Sequence, residues 1–139
     1  MSPLRIPKLK SIQSRGCWNV GLTGIQLVFE DIKSPMIDTE CPGASAWRDY
    51  PAPETVVALQ ATLRKEFGIE ALHELIFRGK DMHSSFFRGF NIDGDTKMHQ
   101  LPKNHVIIGL YGKTTKQDER TRWISSLGFL LLEISDPNR

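Results

Sequence analysis

"VIIGLYGKTTKQDERTRWISSLGFLLLE", residues 106–133, decides how this chain is read. Val106 to Tyr111 and Ser126 to Glu133 are strand-length runs in which neighbouring positions of both parities are apolar. Such strands are expected to be covered on two sides. Between them lies a hydrophilic stretch, Lys113 to Arg122, with no proline or glycine after Gly112. The expected picture is a rigid strand pair that displays a polar loop for binding.

Working outward, the same β character continues. "GLTGIQLVFED", Gly21 to Asp31, points Ile25, Leu27 and Phe29 one way and Gln26 and Glu30 the other, the pattern of a half-buried strand. Leu72 to Phe77 is a short apolar run. Phe86, Phe90 and Ile92 share one parity, and Asp93-Gly94 closes that run with a hairpin signal. Lys33 to Tyr50, with Pro35, Pro42 and Gly43, reads as a long loop. About five or six short strands separated by turn signals predict a sandwich, barrel or prism. One segment is ambiguous. Val56, Leu59, Leu63 and Phe67 fall at helical spacing, with Pro53 and Glu54 ahead and Gly68 behind, which favours a helix over about 54–67. The β-branched opening "TVVAL" suits a strand.

The 139 residues make one ordinary domain, 40% hydrophobic and 24% charged. Residues 1–20 read as an irregular basic N-terminal arm, with Arg5, Lys8, Lys10 and Arg15 ahead of the first acid, Glu30. Pro3 and Pro7 oppose the amphipathic helix of a mitochondrial leader, so an arm lying on a partner or on its own domain is preferred. Residues 21–135 are read as the single β domain. A net charge of +2 drives the chain onto neither nucleic acid nor membrane, and nucleic acid is not an expected partner. The longest apolar run, Leu127 to Leu132, is strand-sized, so no membrane span is expected. Cys17 and Cys41 are too few for a disulfide framework; free thiols in a reducing compartment, or one bridge, are the alternatives.

Catalysis has no local signature: dinucleotide, phosphate-loop and zinc-protease motifs are absent, and "GASAW" at 43–47 is not a nucleophile elbow. His73, His83, His99 and His105 do not form a compact ligand set, and "DGD" at 93–95 lacks the rest of a calcium loop. No enzyme activity, metal or cofactor is expected. Trp18 and Trp47 lie in irregular segments and are expected to pack beneath loops. Trp123 has two readings: an exposed anchor beside Arg122, or a core residue at the start of the last strand.

Three patches resemble jacalin-like lectin domains. "LPKNHVIIGLYGK…WISSLGFLLLE" is similar to the family's C-terminal part, in which a sugar-contacting loop joins two strands and "SSLGF", Ser125 to Phe129, takes the last-strand position. "LTGIQLVFEDIKSPMI", residues 22–37, resembles a recurrent strand and turn of the family, and is similar to jacalin-like sequences of protists. "FFRGFNIDGD", residues 86–95, resembles one of its hairpins. The resemblance implies a mostly β fold, a β-prism of antiparallel sheets, with 54–67 as an inserted helix or a strand. It also implies a "G-x-x-x-D" sugar loop. Carried over, the glycine falls on Thr121 and the carboxylate on Ser125, so both are lost, while Trp123 matches an aromatic of some members.

The candidate ligand contacts are Gly112, Lys113, Asp118, Arg122, Trp123 and Ser125. With the sugar loop degenerate, the expected function is a non-catalytic binding module: a protein-interaction, structural subunit of a larger assembly. Its expected setting is intracellular, with mitochondrial or cytoskeletal and ciliary assemblies in view. The alternative is a carbohydrate-binding lectin that uses the 112–125 loop.

Overall fold

The computed structural model describes residues 6–17, 21–39, 41–66, 69–80, 84–88, 94–116 and 119–134, and all its regular elements are strands. They are β1 (Leu9–Cys17), β2 (Gly21–Phe29), β3 (Ile37–Asp38), β4 (Arg48–Pro51), β5 (Val56–Glu66), β6 (Ile69–Gly79), β7 (Ser84–Arg88), β8 (Gly94–Gln100), β9 (His105–Lys116) and β10 (Arg122–Glu133). Three antiparallel sheets form. Their orders are β3-β2-β1-β4, β7-β6-β5-β8 and β10-β9. The first two share one plan, an inner hairpin flanked by the two strands that follow it. That spatial order is the Greek key. Residues 106–111 and 126–133 do pair in one sheet, with Leu110 opposite Phe129 and Val106 opposite Leu132.

One core joins the sheets. The inner strands β2, β6 and β10 touch one another pairwise. Leu22, Ile25, Leu27 and Phe29 from β2 meet Leu72, Leu75 and Phe77 from β6, with Ile124 from β10 and Ile107 from β9. Phe77 sets its ring edge-on to Phe129 at 5.5 Å between centroids, an attractive aromatic geometry. The first two sheets come close at Gly21. Its φ of 135° is a conformation that side chains rarely adopt, and a Cβ there would lie 2.5 Å from the Leu72 carbonyl oxygen. The starts of β2 and β6 therefore meet backbone to backbone.

Four sequence expectations need correction. The 54–67 helix is a strand, β5, which pairs with β6 and β8. Its helix-like spacing has a specific cause. A register shift between Val56 and Ala58 makes Val57 an extra residue, so Val56 and Leu59 share the core side although three apart. Beyond it Leu59, Ala61 and Leu63 alternate as a strand should. Phe67 and Gly68 lie outside the described residues. Second, the arm is not irregular: Leu9–Cys17 is an inner strand whose Ile12 is buried opposite Leu27. Third, the loop expected over 33–50 contains both edge strands of the first sheet, β3 and the start of β4. Fourth, the 86–95 patch is not a hairpin. β7 pairs with β6 and β8 with β5, on opposite edges of their sheet, and Asp93 lies outside the described residues.

Burial along the last hairpin is also uneven. Trp123 and Ile124 are fully buried, but Leu130 is 51% and Tyr111 60% exposed. Trp123 and Ile124 lie ahead of the run expected to be covered on both sides. Within that run, 126–133, no residue is buried, and in 106–111 only Ile107 and Gly109 are, so the expectation fails for most of both strands. There, Tyr111 lies across Gly128 and Leu130 across Gly109, so side chains fill the space that the glycines leave on the ribbon.

Two substitutions test this packing. Replacing Ile12 by Ala should cost about 2–5 kcal/mol, and Trp123 by Ala about 3–5 kcal/mol, in urea unfolding monitored by circular dichroism. A loss below about 0.5 kcal/mol at Ile12, the size of a surface change, would mean that β1 is not part of the core.

Candidate functional site

The starts of β2, β6 and β10 gather at one end of the prism, and the polar chemistry collects beside them. Thr39 follows the edge strand β3. Its hydroxyl lies 2.8 Å from the Thr23 carbonyl oxygen and 2.9 Å from that of Arg122, and its backbone N–H donates to Thr23 at 2.9 Å. One buried threonine thus ties the first sheet to the last hairpin. Next to it, Asp38 accepts from Arg15 Nε at 3.0 Å and Nη2 at 2.7 Å, both on Oδ1, and Arg15 Nη2 also reaches the Thr39 carbonyl at 3.4 Å. The Arg15 guanidinium lies 5.4 Å from the centre of the Trp47 ring, within cation–π range.

These groups form a row across the sheet because Arg15 pairs with Gly24 and Gly24 with Asp38. Gly24 carries no side chain between them, and the Trp47 ring occupies that space: a Cβ on Gly24 would come 2.7 Å from the ring. Trp47, expected beneath a loop, is half-buried and lies on this sheet face.

Asp38, Thr39, Thr114, Glu119 and Arg122 line an open cleft of about 300 Å³ between the β3 edge and the tip of the β9–β10 hairpin. Its walls are two carboxylates, two threonines and one guanidinium. A second groove, about 340 Å³, has different chemistry. Leu59, Leu63, Leu72 and Leu75 face Leu127 and Phe129 across it. Among the described residues no group of His, Cys, Asp or Glu is placed to hold a metal ion, and no helix is long and apolar enough to cross a membrane.

The six residues picked from sequence do not converge on one pocket. Arg122 lines the polar cleft. Trp123 is 1% exposed, so its core reading holds and its reading as an exposed anchor does not. Ser125 lines the apolar groove instead. It is the extra residue of a register shift between Ile124 and Ser126, and its hydroxyl donates back to the Lys113 carbonyl at 3.2 Å. Lys113 pairs with Ser126, and Gly112 lies opposite Leu127, where a Cβ would sit 2.6 Å from the Ser126 carbonyl. Asp118 and Trp18 lie outside the described residues. The displayed loop is also shorter than expected, since β9 runs to Lys116 and β10 resumes at Arg122. Thr114 and Glu119 fall inside the 112–125 loop but are not among the six residues, and Asp38 and Thr39 lie outside it altogether. Asp38 and Thr39 sit at the end of β3, Thr114 and Glu119 on the β9–β10 hairpin, and no local spacing links the two pairs.

No family model matches the chain, and no curated protein matches it in sequence. Solved structures do match. The galactose-binding lectin from Champedak, in complex with Gal(β)1,3-GalNAc, superposes with a TM-score of 0.68 at 11% identity, over 89% of this chain and 91% of that one. Frutalin from Artocarpus incisa, in complex with galactose, gives 0.65 at 10% identity over 90% and 92%. The lectin MPA, complexed with the T-antigen disaccharide, gives 0.65 at 12% over 89% and 91%. A jacalin–T-antigen complex gives 0.65 at 10% over 89% and 91%.

These matches overturn the expectation of a structural subunit in a larger assembly. Those four structures are of jacalin-type lectins, each in complex with a sugar or with T-antigen. The physical basis of that expectation has also gone, because strands β9 and β10 take up Lys113–Lys116 and Arg122 of the expected loop and its proposed anchor, Trp123, is in the core. Three antiparallel sheets around one core, matched to jacalin and its structural neighbours over nine-tenths of the chain, make this a jacalin-like β-prism fold.

Proposed function

We propose that this domain is a non-catalytic carbohydrate-binding module, and that the cleft between β3 and the β9–β10 hairpin receives the sugar. The observation that carries the reading is the composition of that cleft: Asp38, Glu119, Thr39, Thr114 and Arg122 around one open space of about 300 Å³. A pyranose presents neighbouring hydroxyls that both donate and accept. Carboxylates accept from such hydroxyls in short, charge-assisted bonds, and a guanidinium donates to hydroxyl or ring oxygens. The exposed Thr114 hydroxyl does either, while that of Thr39 is held by the Thr23 and Arg122 carbonyls.

Asp38 is well placed for this role. Arg15 takes hold of Oδ1 and fixes the side chain's orientation, and a carboxylate keeps a second oxygen for a ligand hydroxyl. Two of the β-prism neighbours support the reading as well, frutalin in complex with galactose and the Champedak lectin with Gal(β)1,3-GalNAc. In this chain the carboxylates come from Asp38 and Glu119, whereas the jacalin-like sugar loop would place one at the position of Ser125.

Glycan-array binding followed by calorimetry with the retained sugar tests the assignment. Asp38→Asn and Glu119→Gln should each weaken binding about tenfold or more, because each removes a charge-assisted hydrogen bond of about 1.5–3 kcal/mol. The melting temperature should change little for Glu119→Gln, which is exposed. Retention of no glycan at millimolar protein, or full affinity in both variants, would overturn the reading.

A further inference from the structure

The connection that leaves the cleft carries a second piece of chemistry. Cys17 ends β1 and is buried; Cys41 sits two residues beyond Thr39 and is half-buried. Their sulfurs lie 2.9 Å apart as thiols, closer than two non-bonded sulfurs normally rest. Both are held by the same turn. The Cys17 thiol donates to the Pro42 carbonyl at 3.2 Å, and Cys41 Sγ lies 3.7 Å from that oxygen.

The turn is itself pinned to the sheet. Ala44 N–H donates to the Cys41 carbonyl at 3.2 Å, and Ser45 N–H donates to the Gly16 carbonyl at 2.9 Å. The Gly16 N–H returns a bond of 3.3 Å to the Ser45 hydroxyl. Gly43 has a φ of 81°, the left-handed conformation that lets the chain fold back so tightly over Cys17. Two sequence-distant thiols are therefore held in register by at least three hydrogen bonds in which no sulfur takes part. A chance approach of two surface cysteines would lack that support.

We propose that Cys17 and Cys41 are a redox pair that closes into an intramolecular disulfide on exchange with a small disulfide such as oxidised glutathione. The more accessible Cys41, as its thiolate, attacks one sulfur of glutathione disulfide and expels a glutathione thiolate. A mixed disulfide on Cys41 results. Cys17, as its thiolate, then attacks the Cys41 sulfur, forms the Cys17–Cys41 bond and expels the second glutathione thiolate. The two protons given up by the cysteines end on the two glutathione thiols. The protein loses two electrons and glutathione disulfide gains them. The bond closes the stretch from β1 through β3, and so clamps the segment that carries Asp38 and Thr39. Its effect on sugar affinity rests on the carbohydrate reading; the bond itself does not.

Intact mass and thiol alkylation test the pair directly on the full chain. After equilibration with excess oxidised glutathione the protein should weigh about 2 Da less, the loss of two hydrogens, and should give a peptide cross-linked between Cys17 and Cys41. The oxidised form should melt about 10 °C higher than the form treated with dithiothreitol. The rise should vanish in Cys41→Ser, whose melting point should match that of the reduced wild type. Complete alkylation of both thiols after that treatment, or glutathione on either cysteine without an internal bridge, would overturn the proposal. None of these readouts depends on a glycan, so the carbohydrate reading and the redox pair fail separately.

Discussion

Everything functional in this domain depends on one packing constraint: β2, β6 and β10 must bury their apolar faces against one another along a single axis. A lone β-hairpin is marginal in water, because one ribbon has nothing to cover its apolar face. Three inner hairpins solve this by sharing a core. Leu22 and Ile25, Leu72 and Phe77, and Ile124 each come from a different sheet and are all but completely buried. The shared axis fixes where the strands begin. Gly21 meets the Leu72 carbonyl, and Thr39 bridges Thr23 and Arg122, so the three starts lie together. Loops leaving that end are held close without having to contribute to the core. They are free to carry carboxylates, a guanidinium and thiols.

The strands could be read from the sequence where their registers are regular, and were misread where bulges break the period. β2 keeps strict alternation of Ile25, Leu27 and Phe29, and its pattern is legible. In β1 a register shift between Leu9 and Ser11 makes Lys10 an extra residue. Leu9 and Ile12 then reach the same core from opposite parities, and the segment looks aperiodic. In β5 the bulge at Val57 does the same and mimics a helix. A helix over 54–67 would also have left β6 and β8 without the strand that lies between them. The edge strands β3 and β4 are short and half-exposed. They carry no hydrophobic period, so only their pairing with β2 and β1 identifies them.

The candidate site was less legible than the fold, for a related reason. Arg122 could be found because it sits on the hairpin that dominates the sequence. Thr114 and Glu119 lie on that same hairpin but carry nothing that marks them out from the rest of its polar stretch. Only the pairing of β3 with β2 and the bridge from Thr39 to Arg122 bring Asp38 beside them. Trp123 shows the converse. Its neighbours Arg122 and Thr121 are polar, which suggests exposure, yet the strand twists its ring into the core beside Ile124. A residue type favoured at interfaces is equally favoured beneath them, and sequence context alone does not separate the two.

Under the proposed carbohydrate reading, position 125 marks where the chemistry of the prism's end has moved. A serine at the first residue past Ile124 falls in a bulge and bonds back to its own hairpin through Lys113. Its side chain is used locally, on the apolar-groove side of β10. Negative charge returns to the same end of the prism from Asp38 and Glu119, and Asp38 is braced by Arg15, with Trp47 packed over Gly24 behind it. That bracing matters energetically. An exposed ion pair adds little stability, about 0–1 kcal/mol, so the Arg15–Asp38 contact does more to orient a carboxylate than to hold the fold. Orientation fixed before a ligand arrives lowers the entropy lost on binding. The same sheet edge that leads into β3 also leads to Cys41, so the rigidity of the carboxylate wall and the state of the thiols are properties of one short segment.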